Sequence, residues 1–527
     1  MYYKTLFVDL DNTLYSHDEC HNHALSVVSK YLASKYHIDN ATTVYYSCRL
    51  SVKSDTVGSC NRVLYFKKMV ELLRLPGDET LKLNDIYWDA FYSVIKPHSG
   101  VCEFLQWHKS INIKVVVLTN FQTEHQLKKL QALQISQYVD MLITSEEINS
   151  SKPDSKIFLT ALYQARTEPH EVMMIGDDYE ADIVGAQNVN IKLCVLFPGS
   201  RVISGSVFHT MTSQCPWENL LLLLQSHHKS LCNLVEMSKF FGERFDLVQA
   251  GGGNISVKLC DVNMLAIKAS GTALGSMTIN SGYSVVRCDS LEIYGGSGRA
   301  SIETTMHQVI PHLYVVHLHP IITNRMKTEA LTGLFPKALI LPYVKPGSEL
   351  TVMLKGTLQP HHNMVFLQNH GIIMYGSDIS KIMHKVDKIC IICEKHSNMD
   401  FSRYRESNAV SAIMRRYDGN LVSYRVPMLP GELYVPRTPD CVAYCGAEIS
   451  ILDEKSIITY MKKYGVLPSL VLYNGSLYAV ANSLYRCADI KDVYISNSMM
   501  DADMVSLGTE DIEDIISWDA EKYRKSI

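Results

Sequence analysis

The chain has 527 residues, a hydrophobic fraction of 47% and a charged fraction of 20%, the composition of a folded globular protein rather than a disordered one. Its formal net charge of -4 argues against binding to nucleic acid or to an anionic membrane surface. No apolar run approaches the roughly 18 residues needed to cross a bilayer. The 14 cysteines are scattered along a chain that opens directly into a strand, without a signal peptide, so we expect a reducing, cytoplasmic environment.

The first predicted strand runs from Leu6 to Leu10 and carries two acids at its carboxyl end, in the wording DLDNTL. Asp9 falls at the tip of this strand and Asp11 on the loop that leaves it. In open α/β sheets that edge is where ligands bind. From about 16 to 95 the spacing of apolar residues becomes helical, which predicts a helical insert after the first strand.

Further strand-like segments also end in polar residues. KVVVLTN ends in Thr119 and Asn120, YVDMLIT precedes the Lys152-Pro pair, and EVMMIG is followed at once by Asp177. Strands that alternate with helical patterns in this way predict a doubly wound parallel sheet. The polar residues at the strand ends would then meet at one edge of that sheet.

The combination of DLDNT, a strand ending in Thr-Asn, a Lys-Pro pair and GDDYEAD resembles the haloacid dehalogenase superfamily of phosphohydrolases, over about residues 1–210. The resemblance implies that Asp9 forms an aspartyl-phosphate, while Asp11 protonates the leaving oxygen and then activates water. Thr119 and Asn120 would contact the phosphoryl group, and Lys152 would neutralise charge. The helical insert resembles the small cap of this superfamily, which covers the site and selects the substrate.

The same resemblance implies a magnesium ion, a hard cation that prefers oxygen ligands. It would be held by Asp9, the carbonyl of Asp11 and Asp177. Asp182 occupies the last position of the GDxxxxD pattern and would orient the site as a supporting acid. Asp178 occupies a position that is often serine in the superfamily, and it is given no role.

A second group of polar motifs begins after about residue 226. The stretch AGGGNIS, with Asn254, and the stretch ASGT, with Ser270 and Gly271, combine glycines with amide and hydroxyl groups. Glycines permit close backbone approach and expose amide donors, which suits an anionic group. A plain turn is an equally good explanation of the glycines taken alone.

The stretch SIETTMHQVIPHLYVVHLHP carries Glu303 and two histidines at alternate positions of a predicted strand. Alternate residues of a strand face the same side, so His317 and His319 can approach one metal ion. His370 precedes a second apolar run in FLQNHGIIM. Three imidazoles are a common set for catalytic zinc, which keeps a fourth position open for substrate. His307 lies four residues after Glu303, on the same helical face, and could orient it; we favour a packed helix histidine.

The motifs GGNIS, SGT, S-x-E, HxH and NHG resemble, in that order, the class II aldolase/adducin superfamily. The wording is most similar to the aldolase part of rhamnulose-1-phosphate aldolase/dehydrogenase-like proteins, over about residues 228–527, including the ending EDIISWDAEKYRKS. The resemblance implies that zinc is bound by His317, His319 and His370, and that Glu303 is the acid/base. It also implies a cradle for the substrate phosphate, formed by Asn254, Ser270, Gly271 and Ser301. Ile302 departs from the family pattern, which has a second serine there.

The sequence therefore predicts an α/β protein. We expect the first domain, 1–225, to be a doubly wound parallel sheet with a small helical cap. The second domain, 226–430, would be a class II aldolase-like α/β domain, and residues 431–527 would form a small C-terminal α+β extension of it. We expect a bifunctional enzyme that hydrolyses a phosphomonoester with magnesium and cleaves a ketose, phosphorylated or not, by a zinc-dependent retro-aldol reaction. The zinc domain could instead be a dehydratase, an epimerase or a non-catalytic adducin-like binding module. The expected partners are a phosphorylated small molecule and further copies of the chain.

Overall fold

The computed structural model describes residues 2–55, 61–197, 215–259, 262–428, 434–500 and 505–517. The chain forms two compact units that are interleaved along the sequence. The first comprises Met1–Asn233, Val257–Ala269 and Thr278–Ser301, and the second comprises Leu234–Ser256, Ser270–Met277 and Ile302–Ile527. Domain boundaries at 225 and 430 stay predictions. Within the described residues, no helix is both long enough and apolar enough to cross a membrane.

The first unit contains a five-stranded, fully parallel sheet in the order β3-β2-β1-β4-β5. Its strands are β1 (Thr5–Val8), β2 (Lys114–Thr119), β3 (Met141–Thr144), β4 (Val172–Gly176) and β5 (Leu193–Leu196). In the register, Val8 lies opposite Val117 on one side and Ile175 on the other. The strands are nearly continuous runs of buried apolar residues, as expected for a parallel sheet that is covered on both faces. The predicted doubly wound sheet is confirmed.

A helical cap is inserted between β1 and β2. Its helices are α1 (His17–Tyr36), α2 (Ala41–Asp55), α3 (Arg62–Leu72) and α4 (Glu79–Val94). The side chain of Ser16 caps α1 by accepting a hydrogen bond from the Glu19 amide at 3.3 Å, which is the usual way to satisfy a free amide at a helix start. The helical cap predicted for about 16–95 is therefore confirmed.

Further helices lie between the strands and after the last of them. They are α5 (Val101–Ser110), α6 (Thr123–Ala132), α7 (Ser145–Ile148), α8 (Ser155–Ala165), α9 (Gly185–Gln187) and the long α10 (Pro216–Gly242). Strand β1 ends two residues before the predicted Leu10. Asp9 still donates its backbone amide to Ile175 at 2.9 Å, and after it the chain turns away with Asn12 at φ +62°.

A second, mixed sheet has the order β11-β12-β13-β10-β6-β7-β8-β9. Its strands are β6 (Asn254–Leu259), β7 (Met264–Lys268), β8 (Tyr283–Arg287), β9 (Ile293–Gly296), β10 (Tyr314–Leu318), β11 (Ala338–Leu341), β12 (Met364–Leu367) and β13 (Gly371–Gly376). The helices in this part of the chain are α11 (Thr304–Val309), α12 (Ile321–Asn324), α13 (Thr328–Leu334), α14 (Ser348–Thr357) and α15 (Ile379–Ser397). Strands β10 and β13 pair antiparallel, with His317 opposite Ile373.

The C-terminal part is a small α+β structure, as predicted, built on a four-stranded sheet in the order β14-β17-β16-β15. Its elements are α16 (Ser402–Met414), β14 (Val422–Val426), β15 (Ser450–Ile451), α17 (Glu454–Tyr464), β16 (Leu470–Tyr473), β17 (Ser476–Ala481), α18 (Leu484–Ser498) and α19 (Thr509–Ser517). The β16–β17 hairpin turns at Asn474 and Gly475, both with positive φ, as an Asn-Gly turn requires. Part of the predicted resemblance in the tail, from 518 onward, lies outside the described residues.

Candidate functional sites

The first candidate site lies at the carboxyl edge of the parallel sheet. Asp9 directly follows β1, Thr119 ends β2 and Asp177 directly follows β4. These strands are neighbours in the sheet, so their ends bring the three polar side chains to one place. Asp9 and Thr119 are buried, with 6% and 1% of their surface exposed.

Lys152 is the cation at the centre of this site. Its Nζ donates to Asp9 Oδ1 at 2.6 Å, to Asp182 Oδ1 at 2.5 Å and to the carbonyl oxygen of Leu118 at 2.8 Å. An ammonium group has three hydrogens, so every donor of this buried side chain is used. Burial acts to lower the pKa of Lys152, but the two carboxylates outweigh it and raise that pKa above its ordinary value.

Asn120 contacts the backbone of Lys152. Its Oδ1 accepts from the Lys152 amide at 2.8 Å, and its Nδ2 donates to the Lys152 carbonyl at 3.0 Å. Asn120, which was predicted to contact phosphate, therefore holds the backbone at Lys152 against the end of β2. Its phosphate contact stays a prediction.

Three carboxylates converge beside Lys152. Asp9, Asp177 and Asp182 each offer an oxygen, and these oxygens lie within 4.8 Å of one another. Burial, followed by the charge of neighbouring acids, raises the pKa of Asp9 to about 7 and that of Asp177 to about 6. Clustered buried carboxylates of this kind fit a hard divalent cation, which would offset their mutual repulsion.

The oxygens of Asp182 are already bonded to protein donors. Oδ1 accepts from Lys152, and Oδ2 accepts from the backbone amide of Asp178 at 3.1 Å. Gly176 makes this arrangement possible, because a Cβ at that position would lie 2.2 Å from Asp182 Oδ2. Asp182 is therefore placed to orient Lys152, while Asp9 and Asp177 are the better candidates for direct metal ligands.

Thr13 is a contact that the sequence reasoning missed, although it lies in the DLDNT motif. Its Oγ1 is 3.2 Å from Asp9 Oδ2 and 3.2 Å from Asp177 Oδ1. The hydroxyl hydrogen can satisfy only one of these oxygens at a time. Thr13 therefore links the two carboxylates that are predicted to share the magnesium ion.

Asp11 is held by a lysine that the motifs did not reveal. Lys129, on α6 and fully buried, contacts both oxygens of Asp11 at 2.7 and 2.8 Å, and the Tyr15 hydroxyl donates to Oδ1 at 2.5 Å. Burial acts to raise the pKa of Asp11, but Lys129 and these hydrogen bonds outweigh it and hold that pKa well below its usual range. In this arrangement Asp11 is a carboxylate. A transfer of its proton to a leaving group would require a change in the contact with Lys129.

The second candidate site is a cluster of imidazoles in the mixed sheet. Nε2 of His317 lies 3.0 Å from Nε2 of His319 and 3.2 Å from Nε2 of His370. Nδ1 of His317 lies 3.0 Å from the carbonyl oxygen of Ile372, and since a carbonyl only accepts, Nδ1 carries the hydrogen and Nε2 offers its lone pair. Burial, then the neighbouring His370, lowers the pKa of His317 to about 3. Neutral imidazoles whose lone pairs converge are the donor set that zinc prefers.

Two glycines allow the histidines to come together. A Cβ on Gly371 would lie 2.0 Å from the Leu318 carbonyl oxygen, and a Cβ on Gly252 would lie 2.9 Å from His319 Nδ1. The AGGGNIS stretch therefore packs closely on a predicted zinc ligand. This close packing explains why the stretch contains glycine without requiring a bound anion.

Glu303 faces the imidazoles. Its Oε2 is 3.7 Å from His317 Nε2, and its Oε1 is 3.6 Å from His370 Nε2. Glu303 is 6% exposed. The structure thus brings the predicted acid/base and the three predicted zinc ligands together.

A buried chain of hydrogen bonds leads to Glu303. Nδ2 of Asn254 donates to Glu303 Oε2 at 2.6 Å, Oδ1 of Asn254 contacts His307 Nε2, and Ser256 Oγ is 2.7 Å from His307 Nδ1. Because the amide oxygen only accepts, His307 carries its hydrogen on Nε2 and accepts from Ser256 on Nδ1. Asn254, predicted to bind phosphate, orients Glu303 here, and His307 takes part in the same chain rather than only packing.

The other predicted phosphate contacts lie in surface turns. Ser270 and Gly271 are exposed after β7, with Gly271 at φ +79°, and Ser301 is half-buried before α11. Ile302, which departs from the family pattern, is exposed. A phosphate cradle at these positions stays a prediction.

Comparisons with known proteins match two families to two different parts of the chain. Residues 3–190 match the family model of haloacid dehalogenase-like hydrolases, and residues 232–396 match that of the class II aldolase and adducin N-terminal domain. The ribulose-1,5-bisphosphate 5-phosphatase of Halopiger xanaduensis is 34% identical over 202 residues, which are 37% of this chain and 84% of that protein. The chain belongs to the haloacid dehalogenase-like hydrolases, and it also carries a class II aldolase/adducin domain.

Other relatives match shorter or more distant segments. The pyrimidine 5'-nucleotidase YjjG of Escherichia coli is 34% identical over 133 residues, covering 25% of this chain and 57% of that protein. The N-terminal class II aldolase domain of a Thermoplasma acidophilum protein, a solved structure, shares 22% identity and covers 31% of this chain and 92% of that one, with a TM-score of 0.29. The family models and the Halopiger xanaduensis relative together show a haloacid dehalogenase-like phosphatase domain fused to a class II aldolase-like domain.

Proposed function

We propose that the chain is a bifunctional enzyme that hydrolyses a sugar phosphate at Asp9 and cleaves a ketose phosphate by a retro-aldol reaction at Glu303. The proposal of a second reaction depends chiefly on one observation: the Glu303 carboxylate lies within 3.7 Å of Nε2 atoms in a cluster of three imidazoles. A packed core would not need a carboxylate and three such imidazoles in one place.

In the phosphatase site, Asp9 attacks phosphorus through its carboxylate, the ester oxygen leaves, and an aspartyl-phosphate forms. Lys152, bonded to Asp9 Oδ1, fixes the nucleophile and offsets negative charge. Asp11, protonated after its contact with Lys129 changes, gives that proton to the leaving oxygen. As a carboxylate it then takes a proton from the water that attacks phosphorus, which releases phosphate and regenerates the Asp9 carboxylate. A magnesium ion held by Asp9 and Asp177 would screen the charge between nucleophile and phosphate. Phosphorylated carbohydrate substrates are supported by the named activities of relatives, including the Thermotoga maritima phosphorylated carbohydrates phosphatase.

In the aldolase-like site, His317, His319 and His370 would hold zinc, which would polarise a ketose carbonyl and stabilise negative charge next to it. Glu303 moves the proton at the reacting carbon and hydroxyl. Asn254 fixes one oxygen of Glu303 at 2.6 Å, so the carboxylate keeps one orientation toward the imidazoles. No lysine Schiff base is needed in this mechanism. Assembly into a homo-oligomer through this domain remains part of the proposal.

Incubation of the zinc-loaded full chain with a panel of ketose 1-phosphates tests the second reaction. Release of a free aldehyde together with dihydroxyacetone phosphate is the expected result. Loss of water without fragmentation, or inversion of a hydroxyl, would instead indicate a dehydratase or an epimerase. The full chain is used because the two compact units do not divide at a single point in the sequence.

A further inference from the structure

Arg62 is a buried cation in the cap, close to the phosphatase site. It is the first residue of α3 and only 8% exposed. Its guanidinium carbon lies 5.2, 4.9 and 5.1 Å from the ring centres of Tyr87, Trp88 and Phe121. Phe121 comes directly after the Thr119-Asn120 pair, so Arg62 reaches from the cap to the catalytic edge of the sheet.

Arg62 has no ion-pair partner among the residues that the structure describes. Its Nη2 contacts His17 Nε2 at 3.0 Å, and the charge of Asp11 acts on it from beyond ion-pair distance. Within the described part of the chain, its Nε is buried without a hydrogen-bond partner. By contrast, the buried Arg244 is paired with Asp246 and Asp387.

Such a charge is costly unless something compensates it. A buried ion without its partner is destabilising, and the contacts with aromatic rings offset only part of that cost. The indole of Trp88 packs against the same guanidinium group, and among the described residues its Nε1 is likewise buried without a hydrogen-bond partner. Two adjacent unsatisfied donors, one of them charged, call for a ligand that only accepts hydrogen bonds, which is the property of an anion.

The other cation at this edge is already matched. Lys129 lies 4.9 Å from the centre of the same Phe121 ring, but both of its short contacts to a carboxylate go to Asp11. Arg62 and Lys129 are within about 10 Å of each other through that ring. Arg62 therefore supplies a positive charge that has no direct ion-pair partner among the described residues, a short distance from the site of phosphate hydrolysis.

We infer that Arg62, with the Trp88 indole, binds a second anionic group of the phosphatase substrate, a phosphate or a carboxylate remote from the phosphate that is hydrolysed. This inference rests on the proposed phosphatase function and adds to it a preference for doubly anionic substrates. Arg62 acts as a specificity-determining residue and takes no part in the bond-breaking step.

Matched substrate pairs test the inference with the full chain. Fructose 1,6-bisphosphate is compared with fructose 6-phosphate, and 3-phosphoglycerate with glycerol 3-phosphate, while p-nitrophenyl phosphate serves as a reference with a single anionic group. The wild type should prefer the doubly anionic member of at least one pair, and the pair that shows the preference tells phosphate from carboxylate. Equal kcat/KM within both pairs would overturn the inference without any variant.

The variant Arg62→Gln should raise KM for the preferred substrate at least about ten-fold, since a charged hydrogen bond is worth some 1.5–3 kcal/mol. It should change kcat/KM for p-nitrophenyl phosphate by less than about three-fold, because that substrate has no second anionic group. Arg62→Lys should retain part of the preference, and Arg74→Gln, which removes an exposed cap arginine, should retain all of it. An equal loss on every substrate in Arg62→Gln would mean that Arg62 only packs the cap. A wild type that hydrolyses no phosphomonoester would contradict the proposed phosphatase itself, a result distinct from turnover without preference.

Discussion

Replacement of Lys152 by methionine tests the electrostatics of the phosphatase site. Methionine has a similar length and no charge, so the change removes one ammonium group with little change in packing. The side chains of Lys152, Asp182 and Asp9 are 2%, 1% and 8% exposed. Two buried carboxylates would lose the cation that contacts both of them at 2.5–2.6 Å.

Breaking a buried ion pair by removing one partner typically costs about 3–5 kcal/mol, and we expect Lys152→Met to lose that much free energy of unfolding. The deficit should be largest at alkaline pH and shrink as pH falls, because protonation of the carboxylates removes the uncompensated charge. Lys128→Met is the matched control. Lys128 pairs with Glu124 at 2.6 Å, but the two side chains are 51% and 73% exposed, so its loss should cost less than about 1 kcal/mol.

Differential scanning calorimetry of the full chain, combined with phosphate release, measures the effect. The double variant Lys152→Met/Asp182→Asn should lose less stability than the sum of the single variants, because removing Asp182 removes one of the stranded charges. Strictly additive losses, or a loss in Lys152→Met no larger than in Lys128→Met, would refute the reasoning. Phosphate release should be lost in Lys152→Met in every case.

Gly176→Ala should lower phosphatase activity and destabilise the fold by about 1–3 kcal/mol, because the new Cβ would lie 2.2 Å from Asp182 Oδ2; activity assays and melting curves measure this. Gly371→Ala should reduce the zinc content measured by elemental analysis, since its Cβ would lie 2.0 Å from the Leu318 carbonyl oxygen between two predicted ligands. Burial lowers the pKa of His108 in the folded protein to about 4, below its pKa in the unfolded chain. The folded state therefore has its full stability at pH values above the unfolded pKa, where the imidazole is neutral in both states. About 3 kcal/mol of this stability should disappear as pH falls from 6.5 to 4, and His108→Gln should flatten the measured dependence.

Alanine at two other glycines controls for the loss of glycine itself. Gly77 and Gly333 have no atom within 4 Å of a new Cβ, so Gly77→Ala should retain phosphatase activity and Gly333→Ala should retain zinc. Equal effects of Gly77→Ala and Gly176→Ala would contradict the steric explanation, as would full zinc content in Gly371→Ala. A pH profile of stability that is unchanged in His108→Gln would show that His108 is not the group responsible.

Residues within short motifs could be placed from the sequence, because local patterns determine their position. DLDNTL and GDDYEAD each follow a buried strand, and parallel strands place their carboxyl ends at one edge, so Asp9 and Asp177 meet as expected. The alternation in VVHLH likewise brings His317, in β10, and His319, directly after that strand, to one place. In these cases one short segment and one sheet rule are sufficient.

Contacts between distant segments could not be predicted in this way. Lys129 pairs with Asp11 across 118 residues, and a lysine in an amphipathic helix looks like any solvent-facing one. Arg62 likewise carries no local signal, since its burial depends on how the cap packs on Phe121. Asn254 was predicted to bind phosphate, but the direction of its amide depends on Glu303, a partner that only the tertiary structure brings within 2.6 Å.

The central claim is that one chain holds two separate catalytic centres. The most direct test compares Asp9→Asn and His317→Ala in the full chain, measuring phosphate release, zinc content and aldehyde release from a ketose 1-phosphate. We predict that Asp9→Asn abolishes phosphate release and leaves zinc and aldehyde release intact, and that His317→Ala does the reverse. Loss of both activities in either folded variant would contradict the claim, as would wild-type protein that holds no zinc and is unaffected by His317→Ala.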